Sequence, residues 1–157
     1  MDKLRKEFFD HLNYMVEMRG KAKTEYSCIE EFVLKHGREY EISPLIFPRN
    51  RGKKKECFKN ATLLSFKRGW TYVEGYAFGI AMPMLHGWCV NEDGIVVDPT
   101  WDNGKMYFGV EFSMSYVEAV ILQKKTYGVL DNWEMGFPLL TAKHPYPMKG
   151  VLVNQMG

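Results

Sequence analysis

The chain has no run of eighteen or more apolar residues, so no membrane-spanning segment is expected. The first twenty residues, MDKLRKEFFDHLNYMVEMRG, have neither an apolar signal-peptide core nor a small-residue cleavage site. Cysteine is scarce: Cys28, Cys57 and Cys89 are odd in number and widely spaced, which argues against a disulfide framework. Together these absences lead to the expectation of a cytoplasmic protein whose thiols are core filler, metal ligands or nucleophiles. Repeats and low-complexity segments are also missing, and no linker divides residues 1–157, so one domain is expected.

What is present is ordinary in bulk and uneven in detail. The 157 residues are 46% apolar and 25% charged, the profile of a globular chain, with aromatics on the rich side at 15%. The net charge of +2 conceals an asymmetry: residues 1–69 hold sixteen Lys/Arg against ten Asp/Glu, residues 70–157 five against nine. Arg49, Arg51, Lys53, Lys54 and Lys55 cluster in one segment. This cluster is either a solvated loop or a contact for an acidic or nucleic-acid partner. The overall pI near 8.3 falls short of the value of about 9 that marks a dedicated nucleic-acid binder.

Periodicity orders the elements. Leu4, Phe8, Leu12 and Met15 recur one helical turn apart, predicting a helix over 3–18. Cys28, Ile29, Phe32 and Val33 mark a second over 25–36, with Cys28 as a buried thiol on its apolar stripe. From His36 to Glu56 a long loop is expected, with one extended piece near Glu41–Phe47. Residues 57–68 read as a helix stopped by Gly69. Short aromatic and β-branched runs follow at Tyr72–Phe78, Leu85–Asn91, Gly94–Asp98 and Tyr107–Phe112, and the Asp93-Gly94 pair signals a hairpin. Ser115–Lys125 returns to helical spacing, with Ser115 as its expected cap. An irregular tail is expected after Asp131. Helices, then an antiparallel sheet, make an α+β fold.

Three residues carry chemistry. Cys57 opens a helix, where unpaired N–H groups and the helix dipole favour an anion; such positions lower a thiol pKa from ~8.5 towards ~3.5–7.5. Strand periodicity places His86, Trp88 and Val90 on one face and Leu85, Gly87 and Cys89 on the other, so Cys89 points away from His86. The hairpin returns Asp98 to the neighbourhood of His86, and Pro99 holds Asp98 extended. A half-buried carboxylate there needs a partner, and an imidazole N–H supplies one while turning the other ring nitrogen towards Cys57. The same three residues have ligand types suited to zinc, but the triad needs no metal and no cofactor is expected. Trp88 and Trp101 are either walls of the site or core, and Glu74 either lines a groove for a substrate amine or lies on an exposed face. Met82, Met84, Met106 and Met114 read as core or loop filler, and His11, His36 and His144 as surface residues.

The order of Cys57 at a helix start, His86-Gly87-Trp88 on a strand and Asp98-Pro99-Thr100-Trp101 one hairpin later resembles transglutaminase-like cysteine enzymes, a branch of the papain-like superfamily. The match covers residues 57–101, under a third of the chain. The resemblance implies a papain-like core in which N-terminal helices and the nucleophile helix pack on the sheet. It also implies a Cys57–His86–Asp98 catalytic triad acting as a peptidase, amidase or transglutaminase-like acyltransferase on a peptide, amide or thioester. The sequence departs from papain-type enzymes at position 51, Arg where they place glutamine, and at Glu56. The oxyanion hole would then use the Cys57 N–H and a second donor, for which Asn50 and Trp88 are candidates. The alternative is a papain-like binding protein with weak or no catalysis that engages its partner through the basic loop.

Overall fold

The computed structural model describes residues 2–21, 23–43, 52–141 and 151–153. Helix α1 (Asp2–Arg19) and helix α2 (Ile29–His36) lead into a two-residue strand β1 (Arg38–Glu39). Helix α3 (Cys57–Arg68) precedes strands β2 (Thr71–Phe78), β3 (Pro83–Val90), β4 (Val96–Val97) and β5 (Met106–Phe112). Helix α4 (Met114–Lys124), a 3-10 turn at Trp133–Met135 and a short helix α5 (Pro138–Thr141) follow. The mixed α+β expectation holds in this coarse sense.

The sheet runs β1-β5-β2-β3-β4, and every neighbouring pair is antiparallel. Its period of two divides the residues into faces. Tyr72, Tyr76, Cys89, Val110 and Phe112 pack with Phe8 and Leu12 of α1, Phe32 and Val33 of α2, Ala61 of α3 and Val117 of α4. The opposite face carries a smaller cluster of Val73, Ala77, Trp88, Val90 and Tyr107, joined by Tyr40 and Val96. Burying a large apolar side chain stabilises a fold by roughly 1.5–3 kcal/mol, so the helix-bearing face is the main source of stability. The second face is thinner, and it is the one that carries His86.

Local chemistry sets the element ends. Gly69 adopts φ 69° and its N–H bonds Ser65 O, the left-handed stop expected for α3. Gly94 turns the β3–β4 hairpin at φ 79°, while Asn91 Oδ1 accepts from the N–H groups of Asp93 and Ile95. Ser113, not Ser115, caps α4, its hydroxyl accepting from Tyr116 N at 3.3 Å. The extended piece before α3 is β1 with a bridge from Glu41 to Ile95, slightly earlier than expected, and residues 44–51 lie outside the described residues. The tail after Asp131 is more regular than expected, since Asn132 O closes the 3-10 turn by accepting from Met135 N and Phe137 N. His36 is half-buried and bonds the Tyr26 hydroxyl at 2.6 Å, a correction to its reading as a surface residue; His144 lies outside the described residues.

Candidate active site

Asp98 organises the site through a turn built by its own neighbours. Its Oδ1 accepts from Thr100 N at 2.8 Å and Trp101 N at 2.9 Å, an Asx turn in which Pro99 supplies the bend. That leaves Oδ2 free to accept from Tyr107 Oη at 2.7 Å and from His86 Nε2 at 2.7 Å. The carboxylate is 5% exposed and so is fully committed to these four bonds. Because an ionised carboxylate only accepts, Nε2 of His86 carries the proton.

The His86 side chain is 1% exposed. With Nε2 turned to Asp98, Nδ1 is the ring's other nitrogen, and the half-buried Cys57 thiol lies near enough to act on the imidazole. Burial pulls the imidazole pKa down, but the bond to Asp98, the closeness of Cys57 and the charges of both outweigh it, raising the value to about 9. Trp101 lies flat on the imidazole, ring centroids 3.9 Å apart and planes within 19°, and screens its face from water. Burial followed by the Asp98 charge pushes the Tyr107 phenol far up, so it stays a donor.

Contacts between loop and turn bring the helix start towards His86. Asn60, one turn into α3, donates to Thr100 Oγ1 and to Lys53 O, both at 3.0 Å. Gly52 N donates to Pro99 O at 2.9 Å. The segment before Cys57 and the first turn of α3 are therefore both tied to the turn that Asp98 caps. On the other side, α3 packs on β3 where Gly87 admits Phe58, whose ring carbon would lie 3.0 Å from an added Cβ.

The structure brings Cys57, His86 and Asp98 together and adds Tyr107, Asn60 and Thr100 as supports. Trp101 forms a wall of the site. Trp88 does not: it is fully buried against Tyr40 and Tyr107, with its ring 6.2 Å from His86, so its indole N–H cannot face a substrate carbonyl. Glu74 needs correction on both of its readings. Its strand does pair with the His86 strand, but Gly75 is opposite His86 and Glu74 opposite Gly87, on the other face. At 0% exposure Glu74 accepts from Tyr72 Oη, Val129 N and Leu130 N at 2.6, 2.7 and 3.0 Å, anchoring the chain after α4. Burial raises its pKa, and these three donors work against the shift.

Asn50, Arg49 and Arg51 lie outside the described residues, while Lys53, Lys54 and Lys55 are exposed. Cys89 donates to Ala61 O at 3.1 Å and Cys28 is buried, and burial raises both thiols. Among the described residues no group of three or more His, Cys, Asp and Glu is arranged to hold a metal ion. No described helix is long and apolar enough to cross a membrane. No protein-family model, curated protein or solved structure matches the chain.

Proposed function

We propose that this protein is a cysteine-dependent acyl-transfer enzyme with Cys57 as nucleophile, His86 as general base and acid, and Asp98 as the residue that orients His86. The observation that carries this reading is the buried imidazole held at Nε2 by Asp98, with the half-buried Cys57 thiol near enough to act on the same ring. Its resemblance to transglutaminase-like and papain-like enzymes supports the same roles.

In the first step Cys57 Sγ attacks the substrate carbonyl carbon while its proton is held on Nδ1 of His86, which is a cation below its raised value of about 9. Nε2–H keeps its bond to Asp98, which stabilises the imidazolium. The N–H of Cys57, unpaired at the helix start, is placed to donate to the developing oxyanion. His86 then returns the proton to the leaving atom as the C–N or C–S bond breaks, which leaves a thioester on Cys57. Water, deprotonated by His86, resolves the thioester to acid and free thiol, and an amine in its place gives transfer. Hydrolysis of a peptide or isopeptide bond is the first assignment.

The test is iodoacetamide labelling of the folded protein, mapped to each cysteine by mass spectrometry. Cys57 is expected to react at least tenfold faster in the wild type than in His86→Ala at near-neutral pH, with Cys28 and Cys89 silent in both. Equal rates at Cys57 in a folded His86→Ala protein would refute the assignment.

A further inference from the structure

Turns between strands are ordinarily built from Gly, Asn, Asp, Ser and Pro. The β2–β3 turn departs from that: Gly79-Ile80-Ala81-Met82 is almost wholly apolar. It is also open to solvent, with Ile80 81% and Met82 53% exposed, and Met84 at the start of β3 is 55% exposed. Singly exposed apolar residues need no explanation, but a contiguous group does. These three side chains line a cleft of about 520 Å³ together with Trp101, and Lys54 and Asp102 also line it. That volume falls within the range of about 300–1,000 Å³ typical of small-ligand pockets.

The cleft shares a wall with His86. Trp101 is their shared wall, since it lines the cleft and stacks on His86 at 3.9 Å. Met84 is on the same face of β3 as His86, one strand repeat away, roughly 6.6–6.8 Å. A group seated in the cleft is therefore separated from the imidazole by the thickness of one indole. Two methionine thioethers give its wall an adaptable shape.

We infer that this cleft is a specificity pocket that takes a bulky aliphatic or aromatic group carried next to the reacting carbonyl, an inference that rests on the thiol mechanism above. The substrate class is thus an amide or thioester with an apolar substituent, whether a peptide side chain or a fatty chain. Thr100 and Asn103 line the cleft as well, and the charges of Lys54 and Asp102 are of opposite sign, so the lining favours an uncharged substituent.

The probe series is 2-chloroacetamide, N-benzyl-2-chloroacetamide and N-octyl-2-chloroacetamide. In each, Cys57 Sγ displaces chloride from the methylene carbon: the S–C bond forms, the C–Cl bond breaks and His86 retains the thiol proton. Rates at Cys57 are normalised to glutathione, and selectivity is the ratio of substituted to parent compound within each protein. The wild-type ratio is expected to reach about tenfold or more from partial burial of the substituent. A benzyl preference assigns a side-chain source and an octyl preference a fatty chain. Met84→Glu should bring the ratio close to one, whereas Leu122→Glu, at an exposed position on α4, should leave it intact. A flat wild-type ratio would overturn the pocket. A second measurement is independent of the thiol: titration of ¹³C-methyl methionine-labelled protein with unreactive N-benzylacetamide. Shifts at Met82 and Met84 with a sluggish Cys57 would keep the pocket and remove the mechanism. Fast parent labelling with a flat ratio and unmoved methyls would do the reverse.

Discussion

Replacing Asp98 by Asn isolates what the carboxylate does, because the amide fills the same space. The amide oxygen of the Asp98→Asn protein can still accept from the N–H groups of Thr100 and Trp101, and its NH₂ can donate to the Tyr107 hydroxyl, so the turn and the fold survive. At Nε2 of His86, however, an amide N–H now faces the position of the ring N–H. The imidazole must switch tautomer, accepting at Nε2 and carrying its proton at Nδ1, where it can no longer take the proton of Cys57. The Asp98 bond and charge that help raise His86 to about 9 are lost together, and burial, the largest influence on the group, then draws its pKa down from that value. The expected loss of triad function is roughly 10³–10⁴-fold, the scale found when an orienting carboxylate becomes an amide. Two readouts test this: ¹⁵N spectra of the imidazole, which identify the protonated nitrogen, and iodoacetamide labelling of Cys57. A folded Asp98→Asn protein that keeps Nε2 protonated and labels within threefold of wild type would refute the orienting role.

Two further outcomes follow from buried charge. His86 titrates higher in the folded state than the ordinary 6.5, so its contribution is complete below about pH 6.5 and is lost as pH rises through about 9. The unfolding free energy from urea titrations should fall across that interval by up to about 3 kcal/mol, and a constant value would show that the pair does not stabilise the fold. Glu74→Gln keeps an acceptor for Tyr72 and Val129 but sets an NH₂ against the Leu130 N–H, leaving a buried donor unpaired. A loss of about 1–3 kcal/mol is expected, read as a fall in Tm of roughly 2–4 °C per kcal/mol. Cys57 labelling at 20 °C should be unchanged by that substitution, because Glu74 faces away from His86.

The strands and helices were readable because their periods are strong and their punctuation is chemical: Gly69 stopped α3 and Asp93-Gly94 turned the hairpin as expected. The alternation along β3 separated His86 and Trp88 from Cys89 correctly. The β3–β4 pairing that brings Asp98 to His86 also held; what failed was the side-chain placement that depends on register across β2 and on the distant strand β5. Period two alone leaves open which face of β2 looks at His86, so Glu74 was placed by its charge when the register sets it against the helices. Tyr107 was missed for the same reason. Its strand was expected, but β5 is separated from β3 by β2 in the sheet, and no local signal announces that its hydroxyl reaches Asp98. The Asx turn of Asp98 was readable in Asp-Pro-Thr-Trp itself and would have placed Trp101 against the imidazole.

The reach of Tyr107 to Asp98 has a bearing on how the protein is made. Synthesis delivers Cys57 first, His86 and Asp98 later, and β5 last of these. A nascent chain can pair β2 with β3 and close the hairpin while Asp98 still lacks one of its four donors. The full set of bonds around the carboxylate exists only after β5 has paired with β2, itself fixed by contacts far apart in sequence. The bonding around Asp98 is thus coupled to completion of the whole sheet, and an unfinished chain on the ribosome presents Cys57 before the Asp98 cluster is complete.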